Sequence, residues 1–247
     1  MDYPGPGMNM TQCNPSHNCA NCPSRQTTEW RDLTGAELAL VDQAKQTRMF
    51  DPGTTLYDQG DEGGGIHCIQ SGLIGLRRLD EDGNSALLRL CSGGTTIGYR
   101  AYLTKEAHLN WAEVMTPSIV CFIERSYVTR LLAANLQLGE RFLQHAIEDL
   151  SEVESDYARS MTRSMKSRFL HVLMVFYEQL GYRDDTGSPT VELPIKRGEL
   201  AEMIGAQPES ISRLIRQVQM EGLLQIDDRR VQIHDMEAVL RKAGVTF

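Results

Sequence analysis

Three cysteines stand close together near the start of the chain, in Cys13-Asn-Pro-Ser-His17-Asn-Cys19-Ala-Asn-Cys22-Pro23. Their surroundings are Gly, Pro, Asn, Ser and Gln without apolar periodicity, the vocabulary of a loop. Thiols in such a segment have no core to fill. At this spacing their thiolates are able to converge on one metal centre. An iron–sulfur cluster takes four thiolates. Zinc would take Cys13, His17, Cys19 and Cys22 as a closed Cys3His tetrahedron. The Cys22-Pro23 pair is also compatible with a haem thiolate, and unliganded surface thiols are the plain alternative. Cys121 alternates with Ile119 and Ile123, which is equally the pattern of a core residue. Cys68 and Cys91 lie inside strand-like runs and are expected in the core. His108 and His145 have no partner at ligand spacing.

A second chemical group sits in the last third. Lys196–Gly205 reads as a short amphipathic helix closed by glycine, and Ala206-Gln207-Pro208 turns the chain. Glu209–Gly222 then reads as a helix with Ile211, Leu214, Ile215 and Val218 inward and Glu209, Ser212, Arg213 and Arg216 outward. Helix, short turn and helix is the pattern that places a polar helix front in a DNA major groove. Arg213 suits guanine O6 and N7, Glu209 a cytosine amino group, and Ser212 a base edge or thymine methyl. Arg216, Arg229 and Arg230 suit phosphates. Leu223–Ile226 and Val231–His234, around Asp227-Asp-Arg-Arg230, predict a β-hairpin wing.

Other elements must position these groups. Residues 35–47 have helix-forming composition. From about 48 to 125, short strand-like runs (54–57, 66–70, 73–79, 86–91 and 118–124) alternate with turn clusters, as in an antiparallel sandwich or barrel. Beyond Ser126 the period is helical. Leu143, Ile147, Leu150, Val153, Tyr157 and Met161 form one apolar stripe, a candidate seam between two copies of the chain or a face packed on its own domain. Glu148, Asp149, Glu152 and Asp156 flank it. A further helix is predicted over Ser164–Leu180. These changes of pattern divide the chain into a cysteine-rich tail (1–30), a β domain (31–125), a long-helix region (126–162) and a C-terminal domain (163–247).

The 247 residues carry a net charge of -8, an unusual total for a nucleic-acid binder, but its distribution matters more. From Arg159 onward there are 13 Lys+Arg against 12 Asp+Glu, so the acidity lies in front of the DNA-reading region. No apolar run approaches a membrane span and no basic, apolar-cored secretory signal opens the chain. A cytoplasmic protein with reduced thiols is the expectation. No nucleophile motif, phosphate-cradling loop or acid pair suggests an enzyme.

The order of β domain, long helix and winged helix-turn-helix resembles the CRP/FNR superfamily of transcription regulators, over about residues 30 to 240. Gly60-Asp61 and Ile66-His-Cys-Ile-Gln-Ser-Gly72 resemble its glycine-bounded roll strands. Glu209-Ser-Ile-Ser-Arg213 resembles the Glu-x-x-Ser-Arg reader of its FNR branch. The resemblance implies an α+β fold: a cyclic-nucleotide-binding-like β-roll (jelly roll), a long dimerisation helix and a C-terminal winged helix-turn-helix. It implies a homodimer on a palindromic double-stranded DNA operator with TTGAT half-sites, with RNA polymerase as a further partner. It also implies a [4Fe-4S] cluster on Cys13, Cys19, Cys22 and Cys121, although Cys-x5-Cys-x2-Cys here reverses the branch's best-known spacing. In cyclic-nucleotide members a Glu holds the ribose and an Arg the phosphate. Here Tyr99 and Asn110 stand in those places, which argues against cyclic AMP, while Arg100 leaves another small anion open. The expected mechanism ties the tail to the roll through the cluster and so favours helix pairing. The acidic flank repels across the two-fold axis, and loss of the cluster to oxygen or nitric oxide releases the dimer.

Overall fold

The computed structural model describes residues 18–83 and 85–244. The chain divides into two compact units, the first ending at Glu152 and the second running on from Val153. Each is built around its own apolar core.

In the first unit, Thr34 and Glu37 form a reciprocal capping box that starts α1 (Gly35–Ala44). Eight strands follow: β1 (Gln46–Phe50), β2 (Thr55–Tyr57), β3 (Gly65–Ser71), β4 (Leu73–Leu79), β5 (Ser85–Ser92), β6 (Thr96–Ile97), β7 (Trp111–Val114) and β8 (Ser118–Glu124). The short α2 (Tyr99–Thr104) lies between β6 and β7. Two four-stranded sheets form, in the orders β1-β8-β3-β6 and β2-β7-β4-β5. All the pairings are antiparallel. Tyr57, Ile69, Ile74, Ile97, Val114 and Val120 fill the space between the sheets. Gly72 turns β3 into β4 at φ +95°, where a Cβ would collide with Ser118. Trp30, Val41, Ile66, Ile123, Leu131 and Phe142 form a second core. It joins the outer face of the first sheet to α1, α3 (Arg125–Ala134) and α4 (Leu136–Thr162).

Two expectations change here. The predicted helix over 35–47 stops at Ala44, because Gln46–Phe50 pairs residue by residue with Phe122–Ser118. The tail, expected as a loop to residue 30, is organised wherever it is described. It forms short 3-10 turns at Cys19–Asn21 and Pro23–Thr27. Thr28, Glu29 and Trp30 are buried, with Trp30 edge-on to Phe142 at 5.5 Å.

In the second unit, Ser164 caps α5 (Met165–Leu180), whose Phe169, Leu170, Leu173 and Phe176 are buried. A four-stranded sheet in the order β11-β12-β10-β9 combines β9 (Tyr182–Arg183), β10 (Pro189–Glu192), β11 (Leu224–Asp227) and β12 (Arg230–Ile233). Between β10 and β11 come α6 (Arg197–Met203) and α7 (Pro208–Met220); α8 (Met236–Ala243) closes the fold. Among the described residues no helix is long and apolar enough to cross a membrane.

Candidate sensor pocket and nucleic-acid interface

Cys19, Cys22, Cys68 and Cys121 line one pocket in the first unit, walled by Leu38, Val41 and Ile123 and edged by Lys45. Two come from the N-terminal turns. The other two are cross-strand partners, since Cys68 of β3 stands opposite Cys121 of β8. The N–H of Cys19 donates to Asp42 Oδ1 at 2.7 Å, and Lys45 Nζ lies 3.4 Å from Cys19 Sγ. Thr47 Oγ1 lies 3.3 Å from Cys121 Sγ. Burial pushes the Cys19 thiol up to about 12, against the opposing pull of Lys45. Burial also raises Cys68, reinforced by Cys121, and raises Cys121 itself. These thiols therefore stay protonated at neutral pH unless a cation takes the place of the proton. Cys13 and His17 lie outside the described residues. Among the described residues, no three His, Cys, Asp or Glu side chains close on a single point as a bound metal requires. Cys91 is buried in the roll core, as expected; Cys68, half buried, packs against the second core and also lines the pocket.

In the second unit, α6 and α7 pack through Leu200, Ala201 and Ile204 on one side and Ile211, Leu214 and Ile215 on the other, all buried. Gly205 makes the turn at φ +61°, and Pro208 opens α7. Val218 is fully buried, whereas Glu209, Ser212, Arg213 and Arg216 are exposed along the opposite face. Strands β11 and β12 form a hairpin with Asp228 at φ +50° and Arg229 exposed at its tip. Arg230, expected on phosphate, is exposed and pairs with Asp184 at 3.1 Å.

Two family models match. A cyclic nucleotide-binding domain covers residues 47–135, and a Crp-like helix-turn-helix domain covers residues 167–242. The chain belongs to the CRP/FNR family of transcription regulators. Such proteins are regulators, not enzymes. The transcriptional activator protein FnrL of Cereibacter sphaeroides is 22% identical over 92% of each chain. The fumarate and nitrate reduction regulatory protein of Vibrio cholerae is 24% identical, over 93% of this chain and 91% of its own. A CRP-family transcriptional regulator from Thermus thermophilus superposes with a TM-score of 0.69 at 25% identity, over 81% of this chain and 97% of its own.

In this CRP/FNR protein Asn110 and Tyr99, expected in place of the cyclic-nucleotide contacts, are already engaged within the roll domain. Asn110 Oδ1 accepts from the Tyr57 hydroxyl at 3.3 Å. The Tyr99 hydroxyl donates to Asp149. Asp149 belongs to a network that the sequence did not reveal. Arg89 of β5 bonds Asp149 at 2.5 Å and Glu152 at 3.0 Å. His145 presents Nε2 to Asp149 at 3.3 Å and Nδ1 to the buried Glu29. The Thr96 hydroxyl donates to Glu29 at 2.8 Å, and Arg141 Nε donates to the Glu29 carbonyl at 2.6 Å. Burial opposes the Asp149 charge, but its bonds to His145, Tyr99 and Arg89 outweigh burial and hold its pKa at about 2.

This network corrects two expectations. His145 has two carboxylate partners. The acidic flank is in part engaged, because one cation, Arg89, bonds both Asp149 and Glu152, and Arg159 pairs with Asp156. The apolar stripe is as expected: Leu143, Ile147, Leu150, Val153, Tyr157 and Met161 of α4 are each more than half exposed in the single chain.

Proposed function

We propose that this regulator senses oxygen or redox state through an iron–sulfur cluster and, as a homodimer, reads an inverted repeat of TTGAT half-sites. The supporting observation is that thiols of the N-terminal turns and Cys121 of the roll line one pocket. Cys19, Cys22 and Cys121 supply three of the four thiolates that a [4Fe-4S] centre takes, and the pocket walls are apolar. Cys19, Cys22 and Cys121 would hold it, with Cys13 as the fourth by the resemblance. When bound, such a group supplies an oxygen-labile tie between the N-terminal segment and the roll.

The protein's own residues carry the consequence to the long helix. Ser24 donates to the Gln70 carbonyl at 2.6 Å, and Arg25 Nε to the Cys19 carbonyl at 2.8 Å, so the cysteine turn is stitched to β3 and to itself. Seven residues beyond Cys22, Glu29 is gripped by His145, Arg141 and Thr96. Ordering the turn therefore fixes Glu29, and Glu29 fixes the first turns of α4. The exposed stripe begins there, at Leu143. An apolar stripe of this length is the face that a second copy of the helix covers, which brings two α7 fronts to one operator. A bias of ~1–3 kcal/mol is enough to tip such an equilibrium.

Glu209, Ser212 and Arg213 then read bases, Arg216 and Arg229 hold phosphates, and RNA polymerase is the downstream partner. The test is purification without air. Iron and acid-labile sulfide, a dimer in sedimentation, and operator binding that air abolishes are expected. A colourless protein with one zinc per chain, binding equally in air, overturns the reading in favour of a zinc-stapled regulator.

A further inference from the structure

Cys68 packs against the second core, as its strand pattern predicts, and it also lines the cysteine pocket. It stands directly opposite Cys121 in the antiparallel β3–β8 pair. In such a pair the β-carbons are about 4.5–5.5 Å apart on one face of the sheet. Both side chains line the pocket that also receives Cys19 and Cys22. The pocket thus collects its sulfur atoms two and two: a Cys-x2-Cys turn from the N-terminal segment and a cross-strand pair from the roll. Two thiols of a Cys-x2-Cys turn are a common half of a tetrathiolate site. A cross-strand pair supplies the other half on a rigid element, where little is lost in ordering the ligands. Cys68 has weak competition for its sulfur, since its only described polar neighbour is the Thr96 hydroxyl at 3.9 Å, and that hydroxyl is engaged with Glu29.

We propose that Cys68 is a ligand of the iron–sulfur site, so that Cys19, Cys22, Cys68 and Cys121 form the complete thiolate set and Cys13 lies outside it. The inference rests on the cluster reading above and changes one of its four ligands. It also accounts for the reversed cysteine spacing, because the Cys19-x2-Cys22 pair is then all that the segment has to supply. Through Thr96, which touches both Cys68 and Glu29, the ligand set meets the network that grips α4.

The experiment is iron and acid-labile sulfide analysis, with visible absorption, on full-length Cys13→Ala, Cys68→Ala and Cys121→Ala proteins prepared without air. Cys68→Ala is expected to lose iron, sulfide and colour to the level of Cys121→Ala, while Cys13→Ala keeps the wild-type content. Wild-type content in Cys68→Ala, or its loss in Cys13→Ala, overturns the proposal and leaves the cluster reading standing. Absence of iron and sulfide from the wild-type protein sinks both. Because an alanine variant can fail to fold, a second measurement uses the wild-type chain alone. The holo and chelator-stripped proteins are alkylated and the labelled cysteines identified by mass spectrometry. Labelling of Cys68 that rises on stripping, with Cys13 labelled equally in both, supports the assignment. The reverse pattern, or Cys68 labelling that does not change, refutes it.

Discussion

Replacing His145 by alanine is the sharpest test of the link between the cysteine segment and the long helix. The Glu29 carboxylate is almost inaccessible to solvent and its described side-chain partners are His145 and the Thr96 hydroxyl. Removing the imidazole leaves a buried anion with one neutral donor and takes a partner from Asp149 as well. Losing a hydrogen bond to a charged group costs about 1.5–3 kcal/mol. Because the Glu29 carboxylate is buried and keeps only the Thr96 bond, the expected loss lies at the upper end of this range, about 3 kcal/mol. For a unit of this size that lowers the unfolding midpoint by ~6–12 °C. Both tryptophans of the chain, Trp30 and Trp111, belong to this unit, so their fluorescence reports its unfolding. A double-mutant cycle with Glu29→Ala isolates the pair. The reasoning is refuted if the single and double substitutions add to within ~0.5 kcal/mol. The same variant should alkylate faster at Cys22 without any change at Cys91, because only the former depends on the grip on Glu29.

Three further outcomes are expected. Arg213→Ala should weaken operator binding by about 1–3 kcal/mol and relax the preference at a single guanine, as read by fluorescence anisotropy at fixed salt; a uniform loss across all sequences would make Arg213 a phosphate contact instead. Leu150→Glu should leave the folding of either unit unchanged, since Leu150 is exposed in the single chain, yet abolish dimers in sedimentation equilibrium; an unchanged dimer excludes the α4 stripe as the seam. On acidification two groups act in separate windows. His67 is held down to about 4 by burial, with His108 adding to it, from an ordinary 6.5. Its contribution is complete above pH 6.5 and is lost between pH 6.5 and 4. Asp149 sits at about 2 against an ordinary 3.8, so its contribution is complete above pH 3.8 and is lost between there and pH 2. Urea titrations of His67→Phe and Asp149→Asn should flatten the upper and lower window respectively; a steep loss retained in either variant assigns that window to another group.

The reading head was legible because its determinants are local. The turn needs Gly205 and Pro208, the buried face of α7 follows a helical period, and both facts stand in consecutive residues. The longer roll strands were legible for the same reason, each being bounded by turn clusters. β1 was not. Gln46-Thr-Arg-Met-Phe50 continues a helix-forming composition and lies at the edge of its sheet, so nothing nearby marks it as a strand. Its conformation is imposed by β8, far along the chain, and tertiary pairing overrides propensity at such places. The two-residue β6 and four-residue β7 are too short to show a period at all.

At the site, the same asymmetry decides what was missed. The Cys-x5-Cys-x2-Cys run announces itself, but Cys68 carries no local mark that separates it from Cys91: each sits inside a strand beside apolar residues. What separates them is a strand register, which puts Cys68 against Cys121 and leaves Cys91 between the sheets. The acidic flank of α4 misled for a related reason. Charges read along one helix show only the His145–Asp149 contact, because the other partners of Asp149 lie in β5 and α2 and the other partner of His145 lies in the N-terminal segment. A free acidic face would favour separation of two helices, whereas the Arg89 and Tyr99 contacts hold this part of α4 against the roll and leave the apolar stripe exposed. On the proposed function, the balance between one and two copies is then set by how firmly Glu29 is held. That is where a change at the cysteine pocket arrives first.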